Sequence, residues 1–429
     1  MALGAVLLTG AAQSAAAQDG EAAPQGPVDD ASNAVSFSLG GEARLRYEGF
    51  DEPGWGDAPD DGYLWLRLMP LAKVEGAGGA IVVQPIIGHA IGVRGGPGPI
   101  DRTGIDMLQA YADLHQPLGE VAKASLWAGR RLISLGSERL VGTRYGPNIP
   151  QPFDGVQIGL TRGSARIDVI DAHAVVIGTG DFDDSSAGGR RLRSVYFTAE
   201  AARDVSFDLY WIGYRDRAAQ FGEVLATEAR DTFGLRLFGA RGRVAWNWET
   251  MVQRGTLAGR SIRAWSQATE TSLSFPDAPV PAQLRLRANI ASGDRAGTPG
   301  TIESFNAMFP KGRYFGELTP LGPRNIINVN PGLILAPERR VKVEINLAAF
   351  WRASRSDGIY DLAGREIRPA GSARARYIGS LAEASLAVDL DKGLSLTASL
   401  GAFTDGPFIR QSGSGRTIVM VAGEATYRF

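Results

Sequence analysis

The stretch that decides the fold is the last one, VMVAGEATYRF at residues 419–429. Its odd-numbered positions are apolar or small and end on the aromatic residues Tyr427 and Phe429, whereas Glu424 and Arg428 stand between them. Successive side chains of a strand point to opposite faces, so this stretch has one apolar and one polar face. A terminal strand of this kind is typical of a bacterial outer-membrane β-barrel, with lipid outside and water inside. The alternative is the last strand of a soluble β-sandwich.

The same alternation recurs upstream, in segments that break at Gly, Pro, Asp or Ser. In residues 36–47, for example, apolar or small residues fill most odd positions, while Glu42, Arg44 and Arg46 fill even ones. The split is repeated in residues 63–69, 108–115, 205–214, 232–238, 244–253, 283–290 and 341–347. Less regular segments lie near Ile81, Ala124, Val156, Ile167, Val195, Ile262, Ile326, Tyr377, Leu394 and Ile418. Together they predict an all-β, antiparallel up-and-down transmembrane barrel of about 18 strands that encloses an aqueous channel.

Composition excludes several other classes of protein. Cysteine is absent, which rules out disulfide frameworks, thiol catalysis and cysteine-bound metals. No uncharged apolar run approaches the roughly 20 residues of a membrane helix, and the mean hydropathy is -0.08. The net charge of -1 provides no general attraction to nucleic acid.

The first part of the chain is predicted to lie outside the barrel. Residues 1–17 are typical of the apolar part of a signal peptide, with an A-x-A cleavage site at Ala15–Ala17. No Lys or Arg precedes Arg44, so we expect that the true start lies upstream or was trimmed. Residues 18–34 are rich in Ala, Pro, Gly and Asp and are predicted to form a flexible periplasmic leader. The barrel itself is assigned to residues 35–429.

Strand parity places many charged residues on the polar row that would face the lumen. The basic members are Arg44, Arg46, Arg67, Arg166, Arg236, Arg285, Arg287, Lys342 and Arg352. The acidic members are Glu42, Asp113, Asp168, Asp208, Glu249 and Glu344. Guanidinium groups along a channel bind carboxylates bidentately and concentrate anions, so this row is predicted to line the path of an anionic substrate. The alternative is that these arginines pair with lumen acids across strands and stiffen the wall.

Arg130 and Arg131 are also candidates for the lumen path. Because they are consecutive, only one of them can face inward, and the sequence leaves open which one it is.

Other chemical constellations are weak. The three histidines, His89, His115 and His173, are isolated from any Ser-Asp motif, so no catalytic site is predicted. An outer-membrane enzyme would require a serine brought close to one of them. The aspartates in residues 181–184 fit a solvated turn better than a calcium site, and no cofactor or metal is predicted.

Several short sequence motifs resemble those of a known family. They are WAGRRL (127–132), GTRYGPN (142–148), FDGV (153–156), ASGD (291–294), FNAMFPKGRYFG (305–316) and FWRASRSDGIY (350–360). Together with the terminal Phe429, they resemble the alginate export family of outer-membrane proteins. The chain differs from the type member of the family in having shorter loops. It also has Gly129-Arg130-Arg131 where the family often has Gly-Arg-Gln.

This resemblance implies a monomeric eighteen-stranded barrel in the bacterial outer membrane. It also implies a lumen lined with arginines and a few acids that passes an anionic polysaccharide outward, with periplasmic export-scaffold proteins as partners. The function predicted from sequence is therefore a passive, alginate-like export channel for an anionic polysaccharide or oligosaccharide. The alternative is a porin of the same fold that takes up small anions or sugar acids.

Overall fold

The chain forms a closed antiparallel barrel of 18 strands in the computed structural model, which describes residues 35–221, 224–297 and 300–429. Consecutive long strands pair with each other, and the barrel closes where the first strand pairs with the last, from Glu42 opposite Arg428 to Asp51 opposite Val419. The predicted fold is confirmed. The predicted signal peptide and leader, residues 1–34, lie outside the described residues.

The first nine barrel strands are β1 (Ser36–Asp51), β2 (Asp61–Gly76), β3 (Gly79–Ile91), β4 (Thr103–Leu118), β5 (Ala122–Leu132), β6 (Pro152–Arg162), β7 (Ala165–Val176), β8 (Ser185–Ala202) and β9 (Val205–Phe221). The other nine are β10 (Val224–Arg241), β11 (Val244–Leu257), β12 (Arg260–Phe275), β13 (Ala282–Ala291), β14 (Ile326–Glu338), β15 (Val341–Arg352), β16 (Tyr377–Asp389), β17 (Leu394–Asp405) and β18 (Ile418–Arg428).

The two ends of the barrel differ in their connections. At one end, called here the turn end, strands are joined by short turns such as 77–78 and 203–204, and both β1 and β18 have their outer termini there. At the other end, called the loop end, most connections are long, above all residues 133–151, 292–325 and 353–376.

The last residue completes the seam of the barrel. The Gly41 N–H donates to the Phe429 carbonyl at 2.9 Å, and the Phe429 N–H donates to the Gly41 carbonyl at 3.2 Å. A Cβ on Gly40 would lie 2.9 Å from the same Phe429 oxygen, so the glycine permits this close approach. The terminal stretch therefore belongs to the closing strand, and the β-sandwich alternative is wrong.

The alternation of the strands separates an apolar outward face from a polar inward face. On β1, Leu45 and Tyr47 are exposed on the outside, while Arg44 and Arg46 are buried on the inside. One position departs from the predicted parity. The register of β3 and β4 shifts between the pairs of Gln84 and Pro85, and this irregularity turns Leu108 inward. Its side chain is buried in an inward cluster with Met69, Ile86 and Ile149.

The long loops carry short elements of their own. Thr301–Ile302 adds a two-residue strand parallel to β12, Ile359–Tyr360 pairs with Glu366–Arg368, and α1 spans Pro407–Ser412. Single 3-10 turns occupy Pro53–Trp55 and Asp391–Gly393. Among the described residues, no helix is long and apolar enough to cross a membrane.

Two of the loops fold into the barrel and meet there. Val141 of the loop 133–151 forms a parallel bridge with Phe309 of the loop 292–325, and the Lys311 N–H donates to the Glu138 carbonyl at 2.9 Å. These loops and the barrel wall bury an aromatic cluster that includes Phe153, Phe305, Phe309, Phe315, Phe350 and Phe403. The predicted channel is therefore partly filled at the loop end by a packed core. Residues 321–325 complete the loop 292–325, and β14 begins at Ile326.

Candidate functional site: the barrel lumen

Most of the residues predicted for the lumen path lie on the inward rows of the barrel. The register pairs Arg44 with Arg67 across β1 and β2, and Arg236 with Glu249 across β10 and β11. The other residues on inward rows are Arg46, Arg285, Arg287, Lys342, Arg352, Glu42 and Glu344. The register therefore gives the face of the wall on which each of these residues lies, and the side-chain contacts show what each charge meets.

Of the consecutive arginines, Arg131 is the one that faces inward. It pairs across the strands with the fully buried Phe153, and its guanidinium lies over the ring of Tyr111 at 5.3 Å. Arg130 shares the outward row with Leu126 and is directly opposite Asp154. The placement of Arg130 on the lumen path is therefore wrong, because neighbouring residues of a strand point to opposite faces.

Arg44 and Arg67 hold the loop 133–151 inside the barrel. Arg44 Nη2 donates to the Pro147 carbonyl at 3.0 Å, and Arg67 Nη1 donates to the Asn148 carbonyl at 3.0 Å. The Arg67 guanidinium also lies 4.4 Å from the centre of the Tyr145 ring. Both side chains are fully buried, so their charge is used to fix the loop to the wall.

The Asn148 side chain ties the same loop to three other segments. Its amide Nδ2 donates to the carbonyls of Leu66 at 3.1 Å, His89 at 3.2 Å and Asp101 at 2.9 Å. Its Oδ1 accepts a hydrogen bond from Arg44 at 3.3 Å. The asparagine of the Gly-Pro-Asn motif is thus a buried side-chain amide whose nitrogen and oxygen are both hydrogen-bonded.

Asn325 has the corresponding role for the loop 353–376. It is fully buried, and its Nδ2 donates to the carbonyls of Ser354, Asp357 and Gly358 at 2.8–3.1 Å. Sequence reasoning did not single out Asn148 or Asn325 as functional. The only indication in the sequence was that both residues lie in or near the motifs that resemble the family. An asparagine in a loop belongs to no periodic pattern that would show it to be buried.

Arg352 is another tether of that loop and not a residue of the open path. It is fully buried and donates to the carbonyls of Ala373 at 3.0 Å, Ala375 at 2.7 Å and Asp357 at 3.1 Å. A guanidinium can satisfy several carbonyls at once because its five donors form a rigid fork.

Arg46 is the centre of an ion-pair network between the wall and an inward loop. It contacts Glu48 at 2.5 Å, Glu424 at 3.1 Å and Glu317 of the loop 292–325 at 2.8 Å. Arg313 of the same loop reaches Glu424 at 3.2 Å with 30% of its side chain exposed. This network therefore ties the loop 292–325 to the wall and leaves part of Arg313 exposed.

The inward ion pairs at the turn end are arranged differently. Lys342 and Glu344 are 3.2 Å apart, with 54% and 18% of their side chains exposed. The exposed fractions of the side chains are 41% for Arg166 and 14% for its partner Asp168. They are 62% for Arg428 and 10% for its partner Glu42. In all three, the cation extends further into solvent than the acid. The pair of Lys73 and Glu75 is reversed, because 32% of the lysine side chain and 54% of the glutamate side chain are exposed.

The remaining predicted arginines lie between these extremes. Arg285 pairs with Glu344, and Arg287 lies 3.8 Å from Glu270, each with about 15% of its side chain exposed. Arg236 contacts Asp208 at 2.7 Å, while Glu249 contacts Arg139 of the loop 133–151 at 3.1 Å. The alternative of cross-strand pairing is therefore seen for several arginines, and it coexists with exposed cations.

An acidic group lies at the loop end, outside the lumen. The carboxylate oxygens of Asp106, Asp183 and Asp184 lie within 4.8 Å of one another, and Arg130 is 3.9 Å from Asp184. Burial raises the pKa of Asp184 to about 6, and the nearby Asp106 adds to this. The loop is further held by hydrogen bonds from the N–H groups of Gly178 to Asp184 and of Ile105 to Asp181. These contacts are those of a structured turn.

The histidines make separate local contacts. His115 Nε2 lies 3.7 Å from Asp113, and His173 Nδ1 lies 3.2 Å from the Ala187 carbonyl. His89 is exposed on the outward face. Within the described parts of the chain, no serine hydroxyl is hydrogen-bonded to a histidine.

Comparison with known proteins identifies the family. The model of the alginate export family matches residues 35–419. The chain belongs to the alginate export family. Its family and its barrel are those of outer-membrane channels, so the apolar outward face contacts lipid. Short turns of such barrels face the periplasm and longer loops face outward, so the turn end is periplasmic and the loop end extracellular.

Solved structures of porins share the fold of this family member. A BenF-like porin from Pseudomonas fluorescens Pf-5 is 8% identical with a TM-score of 0.62, covering 92% of this chain and 98% of that one. Pseudomonas aeruginosa OccK2 (OpdF) is 11% identical with a TM-score of 0.61, covering 92% and 97%. Acinetobacter baumannii OccAB1 is 8% identical with a TM-score of 0.60, covering 92% and 96%. No curated protein matches the chain in sequence.

Proposed function

We propose that this outer-membrane channel is a passive conduit for an anionic saccharide, of the uronate class, and that it works in export. The family supports a polysaccharide of the alginate type as the cargo. The inward charges of the wall interact with the cargo and no covalent chemistry takes place. The driving force is a concentration gradient or the synthesis machinery, and periplasmic scaffold proteins are the partners that the family suggests.

The observation that carries this proposal is the arrangement of the ion pairs at the periplasmic mouth. In the pairs of Lys342, Arg166 and Arg428, the acid is recessed and the cation is 41–62% exposed. A carboxylate on a passing polymer therefore meets ammonium and guanidinium groups first. The recessed acids neutralise part of this charge, which keeps each contact weak and lets a polymer move on.

A test removes the exposed cations while leaving their acids in place. The triple variant Arg166→Gln, Lys342→Gln, Arg428→Gln is compared with Arg203→Gln, Arg241→Gln, Arg339→Gln, which makes the same charge change at the periplasmic face outside the lumen wall. In planar bilayers under a salt gradient, the anion-to-cation permeability ratio should fall by roughly threefold in the first variant only. An equal ratio in wild type and both variants would contradict the proposal.

Uptake of small sugar acids is the second candidate, favoured by one comparison. A structure of Pseudomonas aeruginosa OccK2 (OpdF) in complex with glucuronate is 10% identical with a TM-score of 0.60, covering 92% of this chain and 96% of that one. Export and uptake are separated by adding uronate oligomers and monomers to each side of the bilayer. Block by long oligomers from the periplasmic side supports export, whereas block by monomers alone supports uptake. If neither the oligomers nor the monomers block the channel, both the export and the uptake proposals are refuted.

A further inference from the structure

The outward face of strands β8–β12 carries a group of arginines at its extracellular end, called here the outer arginine patch. Its members are Arg191, Arg193, Arg215, Arg217, Arg254 and Arg263. The acids on the outward rows beside them are Asp171 and Asp231, so positive charge is in excess. All six side chains are at least partly exposed.

The patch lies directly beyond an apolar row of the same face. Cross-strand pairing joins Val195, Trp211, Phe233, Val252 and Trp265 into one continuous outward row over β8 to β12. The next row toward the extracellular end contains Arg193, Asp231, Arg254 and Arg263. Tryptophan followed by arginine is the order expected where the lipid core meets the headgroup layer.

Arg254 and Arg263 stand directly opposite each other across β11 and β12. Like charges in this position are destabilising. In residues 35–221, 224–297 and 300–429, no carboxylate forms a salt bridge with either side chain. Counted from the periplasmic ends of their strands, Val244 and Phe275, both arginines lie roughly 25–30 Å up the tilted wall, which is the outer edge of the apolar band. Arg254 stands opposite Asp231 on its other side, but that carboxylate is paired with Arg215. An anion from the outer leaflet would relieve the remaining repulsion.

A cavity of about 390 Å³ adjoins Arg263 of this pair. It lies between the outward face of β12 and the start of the loop 292–325, and its lining includes Arg263, Trp265, Arg295, Ser292 and Thr301. Glu303 also lines the cavity and is paired with Arg295, so Arg263 is the lining cation that forms no salt bridge among the described residues. The cavity thus offers the Arg263 guanidinium and the Thr301 hydroxyl beside an indole ring, whereas the Ser292 hydroxyl already donates to the Glu303 carbonyl.

The opposite side of the barrel has no such feature. On β17 and β18 the outward rows consist of apolar, small and threonine residues, with Leu396, Leu400 and Val421 exposed. A general need to mark the membrane boundary with arginine would apply to all strands alike. The confinement of the patch to β8–β12 indicates a specific ligand on that side.

We propose that the outer arginine patch binds a phosphate-bearing glycolipid of the outer leaflet. Its headgroup phosphate is held by Arg254 and Arg263, its sugar occupies the cavity beside Trp265, and its acyl chains follow the apolar row. Guanidinium groups bind phosphate bidentately, and a site at the edge of the lipid band places headgroup and chains at their natural depths. The site is separate from the lumen and holds whether or not a saccharide passes through it.

Native mass spectrometry of the full chain in detergent tests this assignment with three probes: diphosphorylated lipid A, its dephosphorylated form, and inorganic phosphate. The variant Arg254→Gln, Arg263→Gln is compared with the control Arg203→Gln, Arg241→Gln at the periplasmic end. Diphosphorylated lipid A should bind the wild type and the control equally well. It should bind the Arg254 and Arg263 variant roughly tenfold more weakly. Heat-resistant migration and single-channel conductance, measured in parallel, should be the same in all three proteins.

Three results would overturn the proposal. Equal binding of the phosphorylated and dephosphorylated glycolipid, or equal binding to wild type and the Arg254 and Arg263 variant, would show that the patch does not recognise phosphate. Full displacement of the glycolipid by inorganic phosphate at a similar concentration would assign the site to a free anion.

Discussion

Arg44 and Lys342 stand on the same inward face of the barrel, but their charges act in different ways. Arg44 is fully buried and donates to the carbonyls of a loop that has folded into the lumen. Lys342 is 54% exposed at the periplasmic mouth beside a recessed Glu344. Arg67 and Arg352 behave like Arg44. A lumen-facing cation therefore serves as a loop tether where the lumen is filled and stays exposed to solvent where it is open.

The largest expected effect comes from removing two tethers. In the variant Arg44→Ala, Arg67→Ala, the loop 133–151 loses charge-assisted hydrogen bonds of about 1.5–3 kcal/mol each, so its docking should weaken by several kcal/mol. Limited trypsin digestion should then cut at Arg139 or Arg144, which lie in that loop.

The control for this variant is Arg166→Ala, Lys342→Ala, which removes two exposed cations of the same lumen. It should leave the loop resistant to trypsin. If both variants were cut at the same rate as the wild type, the distinction between tethers and exposed cations would be wrong.

An intermediate effect is expected for Arg285 and Arg287, which share features of both groups. Their replacement by alanine should lower the preference for anions, since both lie on the inward wall of the periplasmic half. The change should be smaller than that of the triple variant with Arg166, Lys342 and Arg428, because only about 15% of each side chain is exposed. Reversal potentials measure both changes, while heat-resistant migration verifies folding. Unchanged selectivity would place the two arginines away from the ion path.

The smallest effect concerns the loop 177–184 outside the lumen, where Asp184 is buried beside Arg130. Burial raises the pKa of this carboxyl to about 6, so the folded loop binds the proton more tightly than the unfolded chain. Its stabilising contribution is complete below the ordinary aspartate pKa and is lost as the pH rises through about 6. Hydrogen exchange at the Phe182 amide, which donates to the Ile105 carbonyl, should therefore increase between pH 5 and pH 7 after correction for the intrinsic rate.

The variant Asp184→Asn, which cannot titrate, should remove this pH dependence. A wild type whose corrected exchange at Phe182 is the same at pH 5 and pH 7 would contradict the assignment to Asp184.

The sequence was informative wherever the structure is periodic. Alternation along Phe37 to Tyr47 and along Gln283 to Ile290 predicted which side chains face inward, and the terminal Tyr427 and Phe429 predicted the closing strand. These predictions succeed because a strand enforces a period of two on its own side chains, whatever its neighbours are.

The sequence was uninformative where one irregular residue or a distant loop decides the outcome. A register shift turned Leu108 inward, and only the pairing with Phe153 showed that Arg131, and not Arg130, faces the lumen. Asn148 and Asn325 lie in loops without periodicity, so their burial could not be inferred from their neighbours.

The sequence by itself determined the class of fold, the approximate number of strands and the polar face of the wall, because each depends on local alternation. Only the tertiary structure decided which of the lumen-facing cations are exposed to solvent. The burial of Arg44 depends on a loop about a hundred residues away, and the exposure of Lys342 depends on the absence of such a loop above it among the described residues. Solvent exposure is a property of everything that packs on a side chain, and that is settled only when the chain has folded.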